Sequence, residues 1–139
     1  MPKTIHLDIV TPDGSTFSGE VEGIVLPGTE GLFGVLPGHA PFMTTLGAGE
    51  AKYSLEGRTE YLAISGGFAQ VEPKKVTVLA ETAELANQID VTRAQEKAKA
   101  KGEQLKGGTR LSSDQANLVQ ASLLKELVRM KVAGRRDRA

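Results

Sequence analysis

The sequence predicts an α+β fold, with an N-terminal β-sandwich over residues 1–83 followed by a C-terminal antiparallel two-helix hairpin over residues 84–139. Two observations predict this division. All six prolines, all six aromatic residues and 12 of the 16 glycines come before residue 84, and glycine and proline mark the turns between short strands. The rest of the chain is rich in alanine and lysine, which favour helix. A chain of 139 residues has room for one domain and an appendage.

The strands of the first half are short and separated by turns. Apolar and polar residues alternate over residues 5–10, as in a half-buried strand with His6 on its outward or edge face. Residues 11–14, 56–58 and 72–74 have the composition of turns. Many short strands between such turns are typical of a β-sandwich or barrel. The further strands expected are Glu20–Leu26, Leu32–Val35, Phe42–Leu46, Ala48–Leu55, Glu60–Ser65, Phe68–Glu72 and Lys75–Ala80.

The first helix is expected to begin after Asp90, a good N-cap residue, and to run to Lys106 before the Gly107-Gly108 stop. Its contact face is narrow and consists largely of small residues. Because so little apolar area is available, this helix needs a partner surface. The residues of this face are Ala94, Ala98, Lys101 and Leu105.

The second helix is predicted from the capping-box spacing of Ser112 and Gln115 and from Gly134 as its stop. One apolar face is expected, and a hairpin this lean is only weakly held unless it docks on another surface. A weakly held arm is a candidate switch. The face comprises Ala116, Leu123, Leu127 and Met130, with Leu124 and Val128 beside them.

The motifs of common catalytic sites are missing from the sequence. There is no cysteine, no Gly-Lys-Ser/Thr phosphate loop and no G-x-G-x-x-G opening a helix. The two histidines, His6 and His39, come without a nucleophile pattern around them. No metal-ligand spacing is present. We therefore expect neither intrinsic catalysis nor a required cofactor or metal.

The net charge of zero hides an asymmetry between the two halves. Residues 1–83 carry five basic and ten acidic side chains, whereas residues 84–139 carry twelve basic and seven acidic ones. A basic tail suits either an acidic protein surface or a nucleic acid. The alternative function is therefore a nucleic-acid-binding β-domain with a basic helical tail, but the tail has no aromatic residue for base stacking.

Two stretches resemble the epsilon subunit family of F-type ATP synthases. Residues 30–41 read E-G-L-F-G-V-L-P-G-H-A-P, and the family carries a similar G-x-L-P-G-H-x-P run. Residues 64–73 and 76–80, which include S-G-G-F and V-T-V-L-A, match the family in order and spacing. The resemblance covers nearly the whole chain.

This resemblance implies a non-catalytic subunit of the rotor, which couples the gamma subunit to the ring of c subunits. Glu30, Leu32 and His39 would contact gamma and the c-ring, and Leu32 departs from members that carry an acid there. The location implied is the cytoplasmic face of a bacterial inner membrane, reached through the complex. No nucleic acid is expected as a partner. No apolar run of about 18 residues is present, so direct membrane insertion is not expected either.

The family also carries an I/L-D-x-x-R-A motif at the base of its first helix, and in some bacterial members it helps to bind regulatory ATP. The matching residues are Glu84, Ile89, Asp90, Arg93 and Ala94. Two interpretations stay open: Arg93 pairs with a phosphate, or Asp90 and Arg93 only begin the helix. The chain lacks further arginines of the ATP-binding members, since Ala100, Glu126 and Met130 occupy those positions.

The last 15 residues hold six basic side chains. In the family, extended C-terminal helices meet acidic segments of the catalytic alpha and beta subunits and inhibit ATP hydrolysis. Such a contact suits complementary charge, whereas a solvated helix face is the alternative interpretation. The residues expected to meet the catalytic subunits are Lys125, Arg129, Lys131, Arg135 and Arg136.

Overall fold

The fold was analysed in a computed structural model, which describes residues 4–106 and 111–135. Eight strands precede two helices, and a single 3₁₀ turn at Ala86–Gln88 connects the two parts. The strands are β1 (Ile5–Thr11), β2 (Gly14–Val21), β3 (Gly23–Gly28), β4 (Gly31–Val35), β5 (Phe42–Thr45), β6 (Gly49–Leu55), β7 (Arg58–Val71) and β8 (Lys75–Leu85). The helices are α1 (Val91–Lys106) and α2 (Ser113–Ala133).

The two longest strands, β7 and β8, belong to both layers of the sandwich. The second part of β7 pairs with β5 and with the first part of β8, which in turn pairs with β1. The first part of β7 pairs with β6 and with the second part of β8. Strands β2, β1 and β5 therefore extend one layer, and β6, β3 and β4 extend the other.

A pair of glycines lies where β7 passes from one layer to the other. Gly66 has a φ of 65° and Gly67 a φ of 111°, values at which a side chain is strained. A Cβ atom on Gly67 would also overlap the carbonyl oxygen of Leu79. The glycines of the Ser-Gly-Gly-Phe stretch are therefore required by the bend and by close strand packing.

One core of branched aliphatic side chains joins the inner faces of both layers. Ile5, Leu7 and Ile9 of β1 are completely buried or nearly so. The core is closed where β2 meets β6, and there the rings of Phe17 and Tyr53 lie 4.3 Å apart. Burying this apolar area, at roughly 25 cal/mol per Å², is the main stabilising contribution to the sandwich.

The strand predictions were correct in class and wrong in several boundaries. Glu20–Leu26 is not one strand, because the chain breaks at Glu22 between β2 and β3. The polar start of β2 was missed, since an exposed outer strand has no apolar alternation. Glu60–Ser65 and Phe68–Glu72 are one strand, β7, because pairing with β8 continues through the glycine bend.

Strand β8 runs to Leu85, beyond the predicted end at Ala80. The division of the chain into two domains at residue 83 stays a prediction. His6 does not lie on an edge, because β1 is flanked by β2 and β8. Its ring nitrogens lie 3.0 Å from Asp8 and 3.2 Å from Glu20, on the outer surface.

Both helix starts are confirmed. The amide of Arg93 donates to Asp90 Oδ1 at 3.0 Å, and Ser112 and Gln115 form the predicted capping box. Gly134 is the C-cap of α2, whereas the predicted stop at Gly107-Gly108 lies outside the described residues. Ala94 and Ala98 are buried between the helices as expected.

The predicted face of α2 was partly wrong. Leu127 and Leu124 are exposed, at 47% and 50% of their surface. Glu126, Val132 and Ala133 are buried instead. The contact face is thus displaced around the helix, because a buried glutamate occupies a position that hydrophobicity alone assigns to the surface.

We predict that Gly67→Ala destabilises the sandwich by about 3 kcal/mol or more, because the side chain adds backbone strain and overlaps β8. Gly34→Ala is the matched control within a strand, since its Cβ would meet only Ile24 O at 3.9 Å. Chemical denaturation measures both. Equal stability of the two variants would contradict the role given to the bend.

Candidate functional site

Three outward-facing residues on neighbouring strands form the surface on which α2 lies, and α1 packs against α2. Glu50 of β6 pairs with Ala63 of β7, and Ala63 pairs with Glu84 of β8. Their neighbours Ala51, Leu62 and Ile64 point into the core or toward it and are buried. This row, Glu50–Ala63–Glu84, places a small apolar residue between two carboxylates and is called the acidic row below.

Arg129 of α2 binds one end of the acidic row. Its Nη2 donates to Glu84 Oε2 at 3.2 Å, and its Nη1 donates to Glu126 Oε2 at 2.8 Å. Its Nε lies 2.7 Å from Glu84 Oε1, although it does not point along a hydrogen bond to that oxygen. The close charges make this contact an ion pair in spite of the poor angle. Arg129 is therefore held between a carboxylate of its own helix and one of the sandwich.

Burial and charge act in opposite directions on Arg129. Burial disfavours the guanidinium, which would lower its pKa, but hydrogen bonds and negative charge from Glu84 and Glu126 outweigh it and raise the pKa. The arginine side chain is only 11% exposed. Removing one carboxylate would leave a desolvated charge with half of its compensation.

Arg135 binds the other end of the acidic row. Its Nε and Nη2 donate to the two oxygens of Glu50 at 3.0 and 3.2 Å, a bidentate arrangement. The hydrogen bonds and the charge of Glu50 raise the pKa of Arg135. The guanidinium carbon also lies 5.1 Å from the centre of the Tyr61 ring, within the range of a cation–π contact.

Apolar contact lies between the two arginine contacts. Val132 and Ala133 are buried in a cluster with Ala63, Ala86 and Ile89. Arg129 and Val132 lie on α2, and Arg135 lies two residues beyond its end, so the three follow one another at three-residue steps in the sequence. The C-terminal end of the hairpin thus presents cation, apolar group and cation to a row that presents carboxylate, methyl and carboxylate.

The five residues predicted to bind ATP do not form one polar cluster. Ile89 is buried against α2 and Ala94 is buried against the other helix. Asp90 caps α1 and Glu84 binds Arg129. Arg93 is exposed, and among the described residues no acidic side chain forms an ion pair with it.

The residues predicted to contact the rotor lie in two places. Glu30 and Leu32 are at the tip of the β3–β4 hairpin, and His39 is in the loop after β4. Leu32 is 70% exposed and Glu30 is also exposed. The Nδ1 of His39 lies 2.7 Å from the backbone oxygen of Ala40, and the ring packs against Phe42 with centres 5.1 Å apart. His39 thus stiffens the loop that carries it.

The basic residues predicted to meet the catalytic subunits differ in accessibility. Lys131 is exposed and Lys125 half-buried, whereas Arg129 and Arg135 bind the acidic row. Arg136 lies outside the described residues.

Sequence reasoning missed Glu50, Glu126 and Tyr61 as parts of this site. Glu126 has a local signal, because it lies three residues before Arg129 on a helix. Glu50 and Tyr61 have none, since their partner Arg135 is 85 residues away from Glu50 in the chain. The pairing of β6 with β7 places Glu50 near Tyr61, and the docking of the hairpin brings Arg135 to both.

Metal and membrane sites were also sought in the described part of the chain. No group of three or more His, Asp or Glu side chains there could hold a metal ion. Neither α1 nor α2 is long and apolar enough to cross a membrane, and no other described helix is.

Comparisons with known proteins agree on one family. The family described as "ATP synthase, Delta/Epsilon chain, beta-sandwich domain" matches residues 4–86. An ATP synthase epsilon chain of Nitratidesulfovibrio vulgaris is 47% identical over 134 residues, which cover 96% of this chain and 98% of that one. The epsilon chain of Geobacter sulfurreducens is 41% identical over 140 residues, which cover 99% of both.

A solved structure has the same fold. A chain in the mitochondrial ATP synthase of Euglena gracilis, in an assembly of OSCP, F1 and c-ring, matches with a TM-score of 0.77 at 23% identity. The match covers 89% of this chain and 78% of that chain.

We predict that Glu84→Gln loosens α2 without unfolding the sandwich, because Arg129 loses its ion pair with β8. The expected cost to helix docking is about 1–2 kcal/mol. Hydrogen exchange measures it, as faster exchange of amides 113–133 with unchanged exchange in β1 and β7. Glu81→Gln, on the same strand, is the control and should change neither. Unchanged exchange of α2 in Glu84→Gln would contradict the role of the acidic row.

Proposed function

The chain belongs to the family of ATP synthase epsilon chains, and we propose that it is the rotor subunit that couples gamma to the c-ring and that its helical hairpin inhibits ATP hydrolysis. Within this complex it is a regulatory, non-catalytic subunit. The single observation that carries the proposal is that Arg129 and Arg135 form ion pairs with carboxylates of the sandwich. The same arginines that suit an acidic partner are bound by the chain's own acidic row.

Exposed apolar side chains support the rotor contact. Leu32 and Leu36 are exposed on one side of β4 and its continuation. Phe68 and Leu79, which pair across β7 and β8, are each 41% exposed on the outer face opposite the helices. Apolar area of this extent favours a protein partner. We propose that gamma and the c-ring cover it, with Glu30, Leu32 and His39 at its end.

The hairpin would alternate between two acidic surfaces. In the docked state Glu50 and Glu84 bind its arginines. In the released state acidic segments of the catalytic alpha and beta subunits would bind the same arginines, together with Lys125, Lys131 and Arg136. Each surface supplies the same type of partner, so the free-energy difference between the two states stays small and rotation can bias it.

The location follows from the complex. A subunit at the foot of the rotor lies at the cytoplasmic face of a bacterial inner membrane, where ion transport drives ATP synthesis. Binding of nucleic acid by the basic half is the other candidate, and the pairing of Arg129 and Arg135 with Glu84 and Glu50 disfavours it, because those charges are already neutralised.

We predict that two kinds of loosened hairpin differ in their effect on ATP hydrolysis by the complete ATP synthase. Glu84→Gln frees the arm and keeps its arginines, so hydrolysis should fall, by about twofold or more. Arg129→Ala combined with Arg135→Ala also frees the arm but removes its charges, so hydrolysis should rise above that of Glu84→Gln. Glu81→Gln should behave as the unmodified chain.

Steady-state ATPase rates of purified complexes measure this effect, with the amount of bound subunit checked in each preparation. Equal changes in Glu84→Gln and in the double arginine variant would contradict the proposal that one pair of arginines serves both surfaces. Loss of the variant subunits from the complex would instead mean that the arginines are needed for assembly, and this result would also contradict the proposal.

Regulatory ATP is the ligand that the Asp90–Arg93 motif predicts, and we propose that Arg93 is its main contact. Asp90 already caps α1, so its carboxylate has less to offer a ligand. Ala100, Glu126 and Met130 provide no further cation. Calorimetry of the isolated chain should give a dissociation constant no tighter than ~1 mM, and Arg93→Ala should abolish the heat. Micromolar binding, or binding that Arg93→Ala leaves unchanged, would contradict this role.

A further inference from the structure

A cleft of about 600 Å³ opens at the end of the sandwich between β2 and β6, close to the connection to the helices. Apolar walls are provided by Phe17 of β2, Leu55 of β6 and Leu85 of β8. Asn87, in the 3₁₀ turn, also lines it. This volume is in the range of clefts that bind small organic molecules.

Tyr53 lies at the base of the cleft and has a polar group without a protein partner. The residue is 92% buried, with 8% of its surface exposed, and its ring packs on Phe17. Within residues 4–106 and 111–135, no hydrogen bond reaches its hydroxyl, yet this oxygen is not sealed from solvent. Because this oxygen is accessible and Tyr53 lines the cleft, the hydroxyl can form a hydrogen bond with a molecule bound there.

The charges around the cleft favour a ligand that donates hydrogen bonds. Glu60 and Glu56 line it together with Arg58, which gives a net charge of −1. Burial raises the pKa of Tyr53, and the nearby charge of Glu60 raises it further, so the hydroxyl stays protonated and lies close to a carboxylate. A phenol oxygen, a carboxylate and an amide oxygen are all acceptors for N–H groups.

We propose that this cleft binds a planar aromatic compound that carries N–H donors, such as an aromatic amidine or amine. The ring would lie between Phe17, Leu55 and Leu85, and the N–H groups would meet the Tyr53 hydroxyl and the Glu60 carboxylate. The site is separate from the acidic row and from the residues predicted to bind ATP. It does not depend on the proposed function.

Three probes of the same size separate ring binding from charge recognition. Benzamidine, benzamide and benzoate are titrated into the isotope-labelled full chain, and amide shifts are followed by NMR. Benzamidine should bind best, with the largest shifts at Phe17, Leu55 and Asn87, and benzoate at least about tenfold more weakly because of Glu56 and Glu60.

Two variants test the contacts. Tyr53→Phe removes only the hydroxyl and should weaken benzamidine about fivefold, as the loss of one hydrogen bond does. Glu60→Gln, whose side chain is on the surface, provides the same test if Tyr53→Phe does not fold. Glu72→Gln, an exposed residue outside the cleft, is the control and should have no effect.

The proposal is overturned if benzamidine causes no shifts in the cleft, if benzoate binds equally well, or if Tyr53→Phe and Glu60→Gln leave the affinity unchanged. It is supported when benzamidine is preferred and its binding is weakened by Tyr53→Phe, or by Glu60→Gln where Tyr53→Phe does not fold.

Discussion

The ion-paired acidic row determines where the helices lie. Glu50 and Glu84 are held on either side of Ala63 by the strand register, so they offer two fixed carboxylates with a flat apolar spot between them. Arg129, Val132 and Arg135 meet these three positions in order. Arg129 also binds Glu126 of its own helix, whereas Arg135 has Glu50 as its one carboxylate partner among the described residues. The apolar face of the hairpin is narrow, so these ion pairs add to a small hydrophobic contact.

The opposite charges of the two halves are explained by this contact. The sandwich is acidic and the hairpin basic, and each half supplies what the other lacks. The ion pairs of this contact differ in how strongly they are shielded from solvent. The Arg135–Glu50 pair is partly exposed, so salt and competing carboxylates can weaken it, whereas Arg129 is nearly buried between Glu84 and Glu126.

The sequence predicted the sandwich, the helix caps and the family because these depend on local patterns. Strand alternation, the Ser-Gly-Gly-Phe stretch and the Ser112 capping box are each defined by a few consecutive residues, so they can be recognised in the sequence. Strand β7 was predicted as two shorter strands, because a glycine pair inside a strand looks like a turn until the pairing partner is known. Strand β8 was predicted to end at Ala80, but its pairing with the first part of β7 continues it to Leu85. The acidic row could not be predicted, since Glu50 and Arg135 are joined only by tertiary structure. The buried Glu126 misled the assignment of the α2 face for a related reason: a charge inside is stable only where Arg129 meets it.

The most direct test of this account is the distance between the hairpin and the sandwich in solution. Because the chain has no cysteine, spin labels can be placed on cysteines at Lys131 of α2 and Lys52 of β6, both of which are exposed. Pulsed electron resonance should give one narrow, short distance at low salt. A longer population should appear when Glu50→Gln and Glu84→Gln are combined, whereas Glu56→Gln with Glu81→Gln should leave the distance unchanged. An unchanged distance distribution in the variant that combines Glu50→Gln and Glu84→Gln would contradict the claim that two carboxylates hold the arm.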